Sequence, residues 1–435
     1  MMHLFEFGDY LALPFDQEKS QRLKRYLDLV WQNRALFCDD HSAQVSTQQR
    51  LFDFDENRLR ARNYVGFFRF EGVEFQVLPK IFDVQPAPNP ELCFRHVLYY
   101  LSYSQRIRFP FSLTRIDATP SLLLPEICIF LFASYTENLL LEQPTQLYQE
   151  RTEELNFLKG QLAVTQYVQE NLATGNWQKL RSRHAPLLYD NRFNQIVKYT
   201  TRWLLSVTQH APTVARLQHV LHLLSSVSSV PVTYEDCLKV RLNEAQTAQQ
   251  AILDMCTMFL GNEMINYQAG QKYNFAFLLP MEVVYEDFIA GFIQRHFPEW
   301  QAQVQPKRYL GVNQIGKNTG LIQPDIVLQN PALIVDTKYK IRKNKTIEDS
   351  DLYQMLAYAT GFKHQELTLV YPQLFDQRNE PDHSKISIPV FQQTIQVNAL
   401  DLVMTTSRPT EVPKALTEKI KQQLLLFLRN DEMPT

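Results

Sequence analysis

The stretch QPDIVLQNPALIVDTKYK, Gln323–Lys340, contains two apolar segments that also carry charged residues. An Asn-Pro pair separates the segments, which predicts two antiparallel strands joined by a turn. Because side chains alternate along a strand, Asp336 and Lys338 lie on the same face. The hairpin brings Asp325, at the start of the first strand, towards the end of the second. The sequence therefore predicts two carboxylates and a lysine close together.

This group of charges suggests either a catalytic site or a solvated sheet edge. Neighbouring carboxylates repel each other unless a positive charge lies between them, and their hard oxygen atoms suit Mg²⁺. A lysine beside the metal can help to deprotonate or orient a water molecule, which supplies the parts needed for phosphodiester hydrolysis. The motif is short, however, and on spacing alone it favours acids and a lysine on an edge strand.

The segments on either side of the hairpin add polar residues in a defined order. Upstream, a helix is predicted over residues 280–296, with Glu286 beside an apolar stripe. Downstream, a helix over residues 350–360 places Gln354 and Tyr358 four residues apart on one face. The order of acid helix, PD strand, D-x-K strand and Q-x-x-x-Y helix shifts the balance towards a catalytic site.

Taken in that order, the elements resemble the PD-(D/E)xK nuclease superfamily, and the Q-x-x-x-Y helix resembles its RecB-like branch. Three earlier segments, YVGFFRFEGVEFQVLPKI, YQERTEELNFLKGQL and DNRFNQIVKYT, narrow the resemblance. Together they look like the McrC family, the nuclease subunits of McrBC-type modification-dependent restriction systems. The match is scattered over residues 60–375.

The resemblance implies roles for individual residues. The expected catalytic set comprises Asp325, Asp336, Lys338 and Glu286. The two aspartates are expected to bind Mg²⁺ together with the backbone carbonyl of Thr337, and the helix acid assists the metal. The side chain of Thr337 is expected to point to the opposite face. Two residues of the following helix are expected to support the site and the DNA backbone, namely Gln354 and Tyr358.

A basic run follows the motif and comprises Lys338, Lys340, Arg342, Lys343 and Lys345. If the hairpin is catalytic, these side chains would lie beside a phosphodiester and contact DNA. A solvated loop explains the same run equally well. The sequence leaves these two interpretations open.

The chain as a whole predicts an α+β protein with several domains. Residues 1–118 form a β-rich region that the resemblance identifies as partner-binding, and residues 119–261 form a helical middle region. Residues 262–435 predict an α/β PD-(D/E)xK endonuclease domain with a mixed central sheet flanked by helices.

Local patterns predict specific boundaries. A hairpin over Tyr64–Phe82 turns at Glu71 and Gly72. Apolar residues at helical spacing predict helix over residues 138–172 and over residues 192–207. Gly361 is expected to end the helix that carries Gln354.

Composition excludes several classes of protein. The 46 acidic and 44 basic residues give a net charge of −2, so any DNA contact must use local patches or a partner. The five cysteines are far apart without ligand spacing, which favours reduced thiols in a cytoplasmic protein. The most apolar run, Leu122–Ala133, is too short to span a bilayer, so no membrane contact is expected.

One segment, GVNQIGKN at Gly311–Asn318, nearly matches the phosphate-binding loop of NTPases. Asn318 stands where that loop needs a hydroxyl, and a strand rather than a helix is expected to follow. Without a helix N-terminus the loop lacks its main phosphate-binding feature. The chain itself is therefore expected to bind no nucleotide.

The leading hypothesis from the sequence is the Mg²⁺-dependent DNA endonuclease subunit of a type IV, GTP-dependent restriction complex. The resemblance implies a McrB-like AAA+ GTPase oligomer as partner, which reads modified cytosine in double-stranded DNA and whose GTPase the chain stimulates. Two alternatives remain: a nuclease-fold adaptor that only regulates a partner NTPase, and a RecB-like repair exonuclease.

Overall fold

The computed structural model describes residues 1–36, 38, 49–107, 124–148, 150–268, 274–314, 316–342, 346–375, 382–390, 393–408 and 412–428. The helices of six or more α-helical residues are α1 (Gln17–Gln32), α2 (Pro90–Leu101), α3 (Leu124–Glu142), α4 (Arg192–Val207), α5 (Ala211–Leu223), α6 (Tyr234–Lys239), α7 (Thr247–Gln268), α8 (Met281–His296), α9 (Asp349–Phe362) and α10 (Lys414–Leu428).

The strands are mostly short and occur before, within and after the middle region of the chain that was predicted to be helical. They are β1 (Met2–Phe5), β2 (Leu11–Ala12), β3 (Phe52–Asp55), β4 (Arg58–Ala61), β5 (Tyr64–Phe70), β6 (Val73–Leu78), β7 (Leu147–Tyr148), β8 (Arg151–Leu155), β9 (Gln161–Leu162), β10 (Leu180–His184), β11 (Leu187–Leu188), β12 (Phe275–Pro280), β13 (Gln303–Val304), β14 (Arg308–Val312), β15 (Asn318–Ile322), β16 (Ile326–Leu328), β17 (Leu333–Thr337), β18 (Glu366–Pro372), β19 (Asp382–Val390) and β20 (Gln393–Leu402).

The chain divides into two compact units. The first unit comprises Met1–Ile127 and Ile265–Thr435, and the second comprises Cys128–Met264. The beginning and the end of the chain thus fold together, although the sequence suggested separate N-terminal and C-terminal domains. The assignment of partner-binding and nuclease roles to those regions stays a prediction.

One sheet of the first unit is made from both parts of the chain and has the strand order β1-β6-β5-β12. The predicted hairpin is confirmed, because β5 and β6 are antiparallel and are joined by Glu71 and Gly72 at positive φ. Strand β12 approaches β5 closely at Gly66, where a Cβ atom would lie 2.0 Å from the carbonyl oxygen of Phe277. A glycine is required there.

The phenylalanines of this hairpin form core rather than surface. Phe68, Phe70 and Phe75 are each 0% exposed, and the rings of Phe68 and Phe75 stack with centroids 4.5 Å apart. Burial of aromatic side chains is a large source of folding free energy. These side chains therefore hold the sheet together and are not available to a partner.

The second sheet of interest has six strands in the order β13-β16-β17-β18-β20-β19. It is mixed, since β17, β18 and β20 are parallel to one another while the strands at either side are antiparallel. Helix α9 connects β17 to β18 and packs on the sheet through buried residues that include Met355, Tyr358 and Phe362. The predicted mixed α+β character is confirmed.

Helix α9 does not end at Gly361 as expected, but continues through Phe362 and is capped by Lys363 in the left-handed conformation. The glycine has another role, because a Cβ atom at this position would lie 2.2 Å from Cδ1 of Ile322. Gly361 thus allows β15 to pack against the helix.

The second unit contains helices together with a small sheet. The helix over 192–207 is confirmed as α4, and the Asn191 side chain caps it by accepting a hydrogen bond from the Asn194 amide. The helical prediction for residues 138–172 is wrong in its middle, where β8 and β9 flank β10. Gly160, at φ 78°, turns the chain between these strands.

Within the described residues, no helix combines the length and the apolar character needed to cross a membrane.

Candidate active site

The β16–β17 hairpin brings the predicted residues together in the first unit. Its antiparallel register pairs Ile326 with Val335 and Leu328 with Leu333, which sets Asp325 beside the end of β17. The amide and hydroxyl of Thr337 donate hydrogen bonds to Oδ2 of Asp325 at 2.7 and 2.6 Å. The hairpin is confirmed, but the Thr337 side chain does not point away from the site. It holds the first aspartate in place.

The second aspartate is paired with the lysine of the motif. Asp336 is 2% exposed, and its Oδ2 lies 2.7 Å from Nζ of Lys338. The same Nζ donates to Oε1 of Gln354 at 2.7 Å, and Nε2 of Gln354 donates to the hydroxyl of Tyr358 at 2.6 Å. Tyr358 in turn donates to the backbone carbonyl of Gln323 at 3.1 Å. A continuous hydrogen-bonded chain therefore fixes the ammonium group.

Glu286, from α8, lies at the side of this group. Its carboxylate accepts a hydrogen bond from Nε2 of Gln305 at 2.5 Å and forms an ion pair with Arg106 at 3.1 Å. Arg106 also binds the neighbouring Asp287, with Nε 2.6 Å from Oδ1. Arg106 and Gln305 were not predicted from the sequence, because neither belongs to a local motif. Arg106 lies 181 residues before its partner Asp287.

Beyond the effect of burial, the negative charges of Asp325, Asp336 and Glu286 raise one another's pKa. Burial, followed by the charge of Asp336, raises the pKa of Asp325 to about 7. Burial also raises the pKa of Asp336, although Lys338 opposes this effect. The pKa of Glu286 is raised by burial and by Asp325, while Arg106 opposes. Ionising all three groups is costly unless a cation offsets the repulsion.

These donors fit Mg²⁺, which is commonly held by one or two carboxylates while water and substrate phosphates complete its coordination. Asp325 and Asp336 provide that pair. Over the part of the chain that the structure describes, no three His, Cys, Asp or Glu side chains form a group able to hold a metal. Glu286 therefore stands beside the pair instead of joining it in a three-carboxylate site.

The described residues of the basic run are paired with acidic side chains of the protein. Lys340 binds Glu348 at 2.7 Å and Asp351 at 3.2 Å. The side chain of Arg342 is 4% exposed, and its guanidinium binds both oxygen atoms of Asp401 at 2.8 and 2.6 Å. This burial favours a structural role for Arg342 over the phosphate contact suggested by the sequence. Lys343 and Lys345 lie outside the described residues.

A buried acid that follows β1 contacts Tyr339, the residue after Lys338. Glu6 is 1% exposed and accepts hydrogen bonds from the Tyr339 hydroxyl at 2.7 Å and the Lys80 amide at 3.0 Å. The ammonium of Lys80 donates to the Tyr339 carbonyl at 2.7 Å. Burial raises the pKa of Glu6 to about 7. The motif strand is thus tied to the first strand of the chain by a buried polar cluster.

The segment that resembles a phosphate-binding loop is a β-hairpin turn. Strands β14 and β15 pair on either side of it, with Val312 opposite Asn318. The amide of Lys317 donates to the side chain of Asn313 at 2.9 Å, and Gly316 has φ 77°. The predicted strand after the loop is confirmed, so the segment lacks the helix that a nucleotide-binding loop requires.

The second unit exposes large apolar side chains around its small sheet. Among residues 148–187 they are Tyr148 (76% exposed), Phe157 (63%), Leu158 (52%), Val164 (60%), Val168 (44%), Leu172 (51%), Trp177 (63%) and Leu187 (49%). Clustered exposure of this kind commonly marks an interaction surface. Val164, Val168 and Leu172 lie on a short helical segment over Val164–Leu172, whereas the other five lie on short strands, turns and loops.

Comparison with known proteins places these features in context. A family profile described as "McrBC 5-methylcytosine restriction system component" matches residues 59–372. A Thermococcus gammatolerans structure, described as a half-complex from a tetradecameric assembly of McrB AAA+ hexamers with bound McrC, is similar, with a TM-score of 0.68. Its identity is 16%, and the alignment covers 97% of this chain and 99% of that chain, so the likeness concerns the fold.

A second structure, the cryo-EM structure of the Thermococcus gammatolerans McrBC complex, has a TM-score of 0.49 at 17% identity. The alignment covers 68% of this chain and 87% of that chain. A search of curated proteins found no match.

Proposed function

We propose that this chain, which belongs to the McrBC 5-methylcytosine restriction system component family, is the DNA-cleaving subunit of a GTP-dependent restriction complex. The observation that carries the proposal is the grouping of Asp325, Asp336 and Lys338 at one end of the β16–β17 hairpin. A buried charged cluster has a cost that a purely structural role does not require. Its arrangement in PD-(D/E)xK order supports hydrolysis of DNA phosphodiesters.

The residues of the proposed site have different roles. Asp325, oriented by Thr337, and Asp336 would hold Mg²⁺ together with the backbone carbonyl of Thr337. A bound Mg²⁺ supplies Lewis-acid polarisation of the phosphoryl oxygen and lowers the pKa of a coordinated water. Lys338 contributes a fixed positive charge beside the second aspartate, where it can orient the attacking water and oppose developing negative charge.

The flanking residues set the position and charge of this pair. Gln354 keeps the Lys338 ammonium at one place, and Tyr358 fixes the amide of Gln354 through its hydroxyl. Arg106 opposes the rise in the pKa of Glu286 that burial and Asp325 cause. In its ionised form Glu286 is suited to accept a proton or a hydrogen bond from water at the edge of the site.

The partner we propose is an AAA+ GTPase oligomer that reads modified cytosine. Support comes from the fold shared with a chain that is described as bound to McrB AAA+ hexamers. The exposed apolar side chains of residues 148–187 in the second unit form the proposed contact surface. The buried phenylalanines of β5 and β6 are unsuitable for that role.

The test is reconstitution with the partner GTPase, Mg²⁺ and GTP on closed-circular DNA with and without methylated cytosine. We expect wild type to cut the methylated circle and Asp336→Asn to leave it intact while still stimulating GTP hydrolysis. Asp349→Asn, at an exposed position of α9, is the matched control and should cut normally. Stimulation of the GTPase without any cleavage would indicate an adaptor, and cleavage restricted to linear DNA would indicate an exonuclease.

A further inference from the structure

The β14–β15 hairpin is a two-stranded sheet of its own, separate from the six-stranded sheet. One face is anchored on α9. Leu310 and Ile322 would lie 3.2 and 2.2 Å from a Cβ atom at Gly361, and Nη1 of Arg308 donates to the Gly361 carbonyl at 3.3 Å. The guanidinium of Arg308 also lies 4.7 Å from the ring centroid of Phe362. The ribbon is therefore held rigidly against the helix that carries Gln354.

The opposite face is open and apolar. Tyr309 and Leu321 are directly paired across the two strands and are 51% and 52% exposed. By strand alternation Lys307 and Lys317 lie on the same side of the ribbon as these two residues. Large apolar side chains on a ribbon with two open edges favour association with another molecule.

The charge of the ribbon indicates which kind of molecule binds its open face. Residues 303–322 contain three basic residues and no acidic residue, although the whole chain has a net charge of −2. Lys307 and Lys317, at the base and at the turn, are exposed. An exposed strip of aromatic, aliphatic and basic side chains is complementary to DNA, in which phosphates flank the apolar surfaces of the bases.

Both ends of the ribbon are joined to the candidate active site. Before β14, Gln305 donates its amide to the Asp325 carbonyl at 2.8 Å and its side chain to Glu286. After β15, the Gln323 carbonyl accepts a hydrogen bond from Tyr358. A molecule that binds the ribbon is thus delivered next to Asp325 and Lys338.

We infer that the β14–β15 hairpin is a DNA-binding ribbon that lies against a groove of the duplex and positions the backbone for cleavage. A two-stranded ribbon has a suitable width for the major groove. Lys307 and Lys317 contact phosphates on either side, and Tyr309 and Leu321 contact sugars and base edges. The inference rests on the proposed nuclease function and assigns a substrate-binding element to it.

The first test is the salt dependence of binding of a fluorescein-labelled linear duplex to the complex with its GTPase partner, with Ca²⁺ replacing Mg²⁺. Each phosphate contact contributes about 0.9 to the slope of log K against log salt, so Lys307→Gln with Lys317→Gln should lower the slope by about 2 and weaken binding about tenfold. The matched control is Lys24→Gln with Lys385→Gln, which removes two exposed lysines from α1 and β19. An equal loss in the control, or an unchanged slope in the hairpin variant, contradicts the inference.

The second test measures proximity and identifies the occupant. Gln314 is exposed at the turn, and the five native cysteines are buried, so Gln314→Cys can be labelled selectively with a photo-crosslinker. We expect an adduct with DNA. An adduct that joins two copies of this chain, or the chain to its partner, would instead assign the ribbon to a protein interface and overturn the inference.

The outcomes separate the two proposals. If wild type cleaves DNA but the hairpin variants bind DNA as wild type does, the DNA-binding role of the ribbon is rejected. The proposed nuclease function is then unaffected. Failure of the wild-type complex to bind or cut DNA rejects both.

Discussion

The Nζ atom of Lys338 lies 2.7 Å from Oδ2 of Asp336, an oxygen that is shielded from solvent inside the sheet. The two side chains are one strand period apart, so the backbone alone sets their spacing. The lysine is consequently the neutralising partner of a buried acid, and under the proposed function it is also the group that acts on substrate.

This dual role predicts that stability and activity respond differently to substitution. Lys338→Met should abolish cleavage and lower the free energy of unfolding by roughly 2 to 3 kcal/mol, because Asp336 loses its buried cation. Adding Asp336→Asn should restore most of the stability without restoring cleavage. Urea unfolding and plasmid cleavage of the two variants check this. A double variant as unstable as the single one would show that the ion pair is not the cause.

Tyr358 offers a test of how the lysine is held. Tyr358→Phe removes the hydroxyl that accepts from Gln354 and donates to Gln323. We expect cleavage to slow about fivefold, since a lost hydrogen bond of about 1 kcal/mol misplaces Gln354 and hence Lys338. DNA affinity should be unchanged. Tyr353→Phe, on the same helix but 68% exposed, is the control and should behave as wild type in single-turnover cleavage.

Glu6 predicts a pH dependence of stability. Its pKa is raised to about 7 by burial, so the folded state binds this proton more tightly than the unfolded state. The contribution is present below the unfolded pKa of about 4.5 and is lost as pH rises through about 7, amounting to at most about 3 kcal/mol.

The variant Glu6→Gln isolates this effect, because the amide oxygen can still accept from Tyr339 and Lys80. Between about pH 5 and pH 8, the free energy of unfolding should fall more steeply for wild type than for Glu6→Gln. Parallel curves from denaturant titrations at each pH would exclude titration of Glu6 in this range.

Gly66 predicts a large and local stability effect. A Cβ atom there would lie 2.0 Å from the carbonyl oxygen of Phe277, so Gly66→Ala should separate β5 from β12 and destabilise the protein by about 3 kcal/mol. Gly311, in β14, has open space around its Cα. Gly311→Ala should leave the midpoint of thermal unfolding nearly unchanged, and equal effects of the two substitutions would contradict the close approach.

The exposed apolar side chains of residues 148–187 in the second unit are the positions at which substitution should weaken partner binding. Trp177→Ala should lower affinity for the AAA+ partner by about tenfold or more, because exposed aromatic side chains commonly dominate interfaces. Leu426→Ala, at a position that is 53% exposed on α10, provides a comparison in the first unit. Affinity is measured by surface plasmon resonance with GTP present. Wild-type affinity in the Trp177 variant would remove this surface from the proposed interface.

The sequence could predict those parts of the site that depend on the side-chain periodicity of one strand or one helix. The grouping of Asp325, Asp336 and Lys338 follows from one tight hairpin, and the alignment of Gln354 with Tyr358 follows from one helical turn. Arg106 and Gln305 reach Glu286 from distant segments, and no periodicity connects them. Their contribution is visible only once the fold is formed.

The sequence-based predictions that disagree with the structure failed for physical reasons. A run of basic residues says nothing about exposure, and the partner that buries Arg342 is Asp401, 59 residues further along the chain. In β8 the sequence RTEEL contains good helix formers, yet it pairs with β10 because cross-strand contacts outweigh weak local propensity. Gly361 looked like a helix end because sequence cannot show that another element packs there.

The pairing of β5 with β12 also affects the order in which parts of the chain can fold during translation. The edge of β5 is made early, but its neighbour Phe275–Pro280 emerges only after the entire second unit has been translated. The candidate partner surface can thus fold during synthesis, whereas the sheet next to Glu6 is completed only later. Under the proposed function, the nuclease site of a nascent chain would therefore form only after the surface that binds its partner.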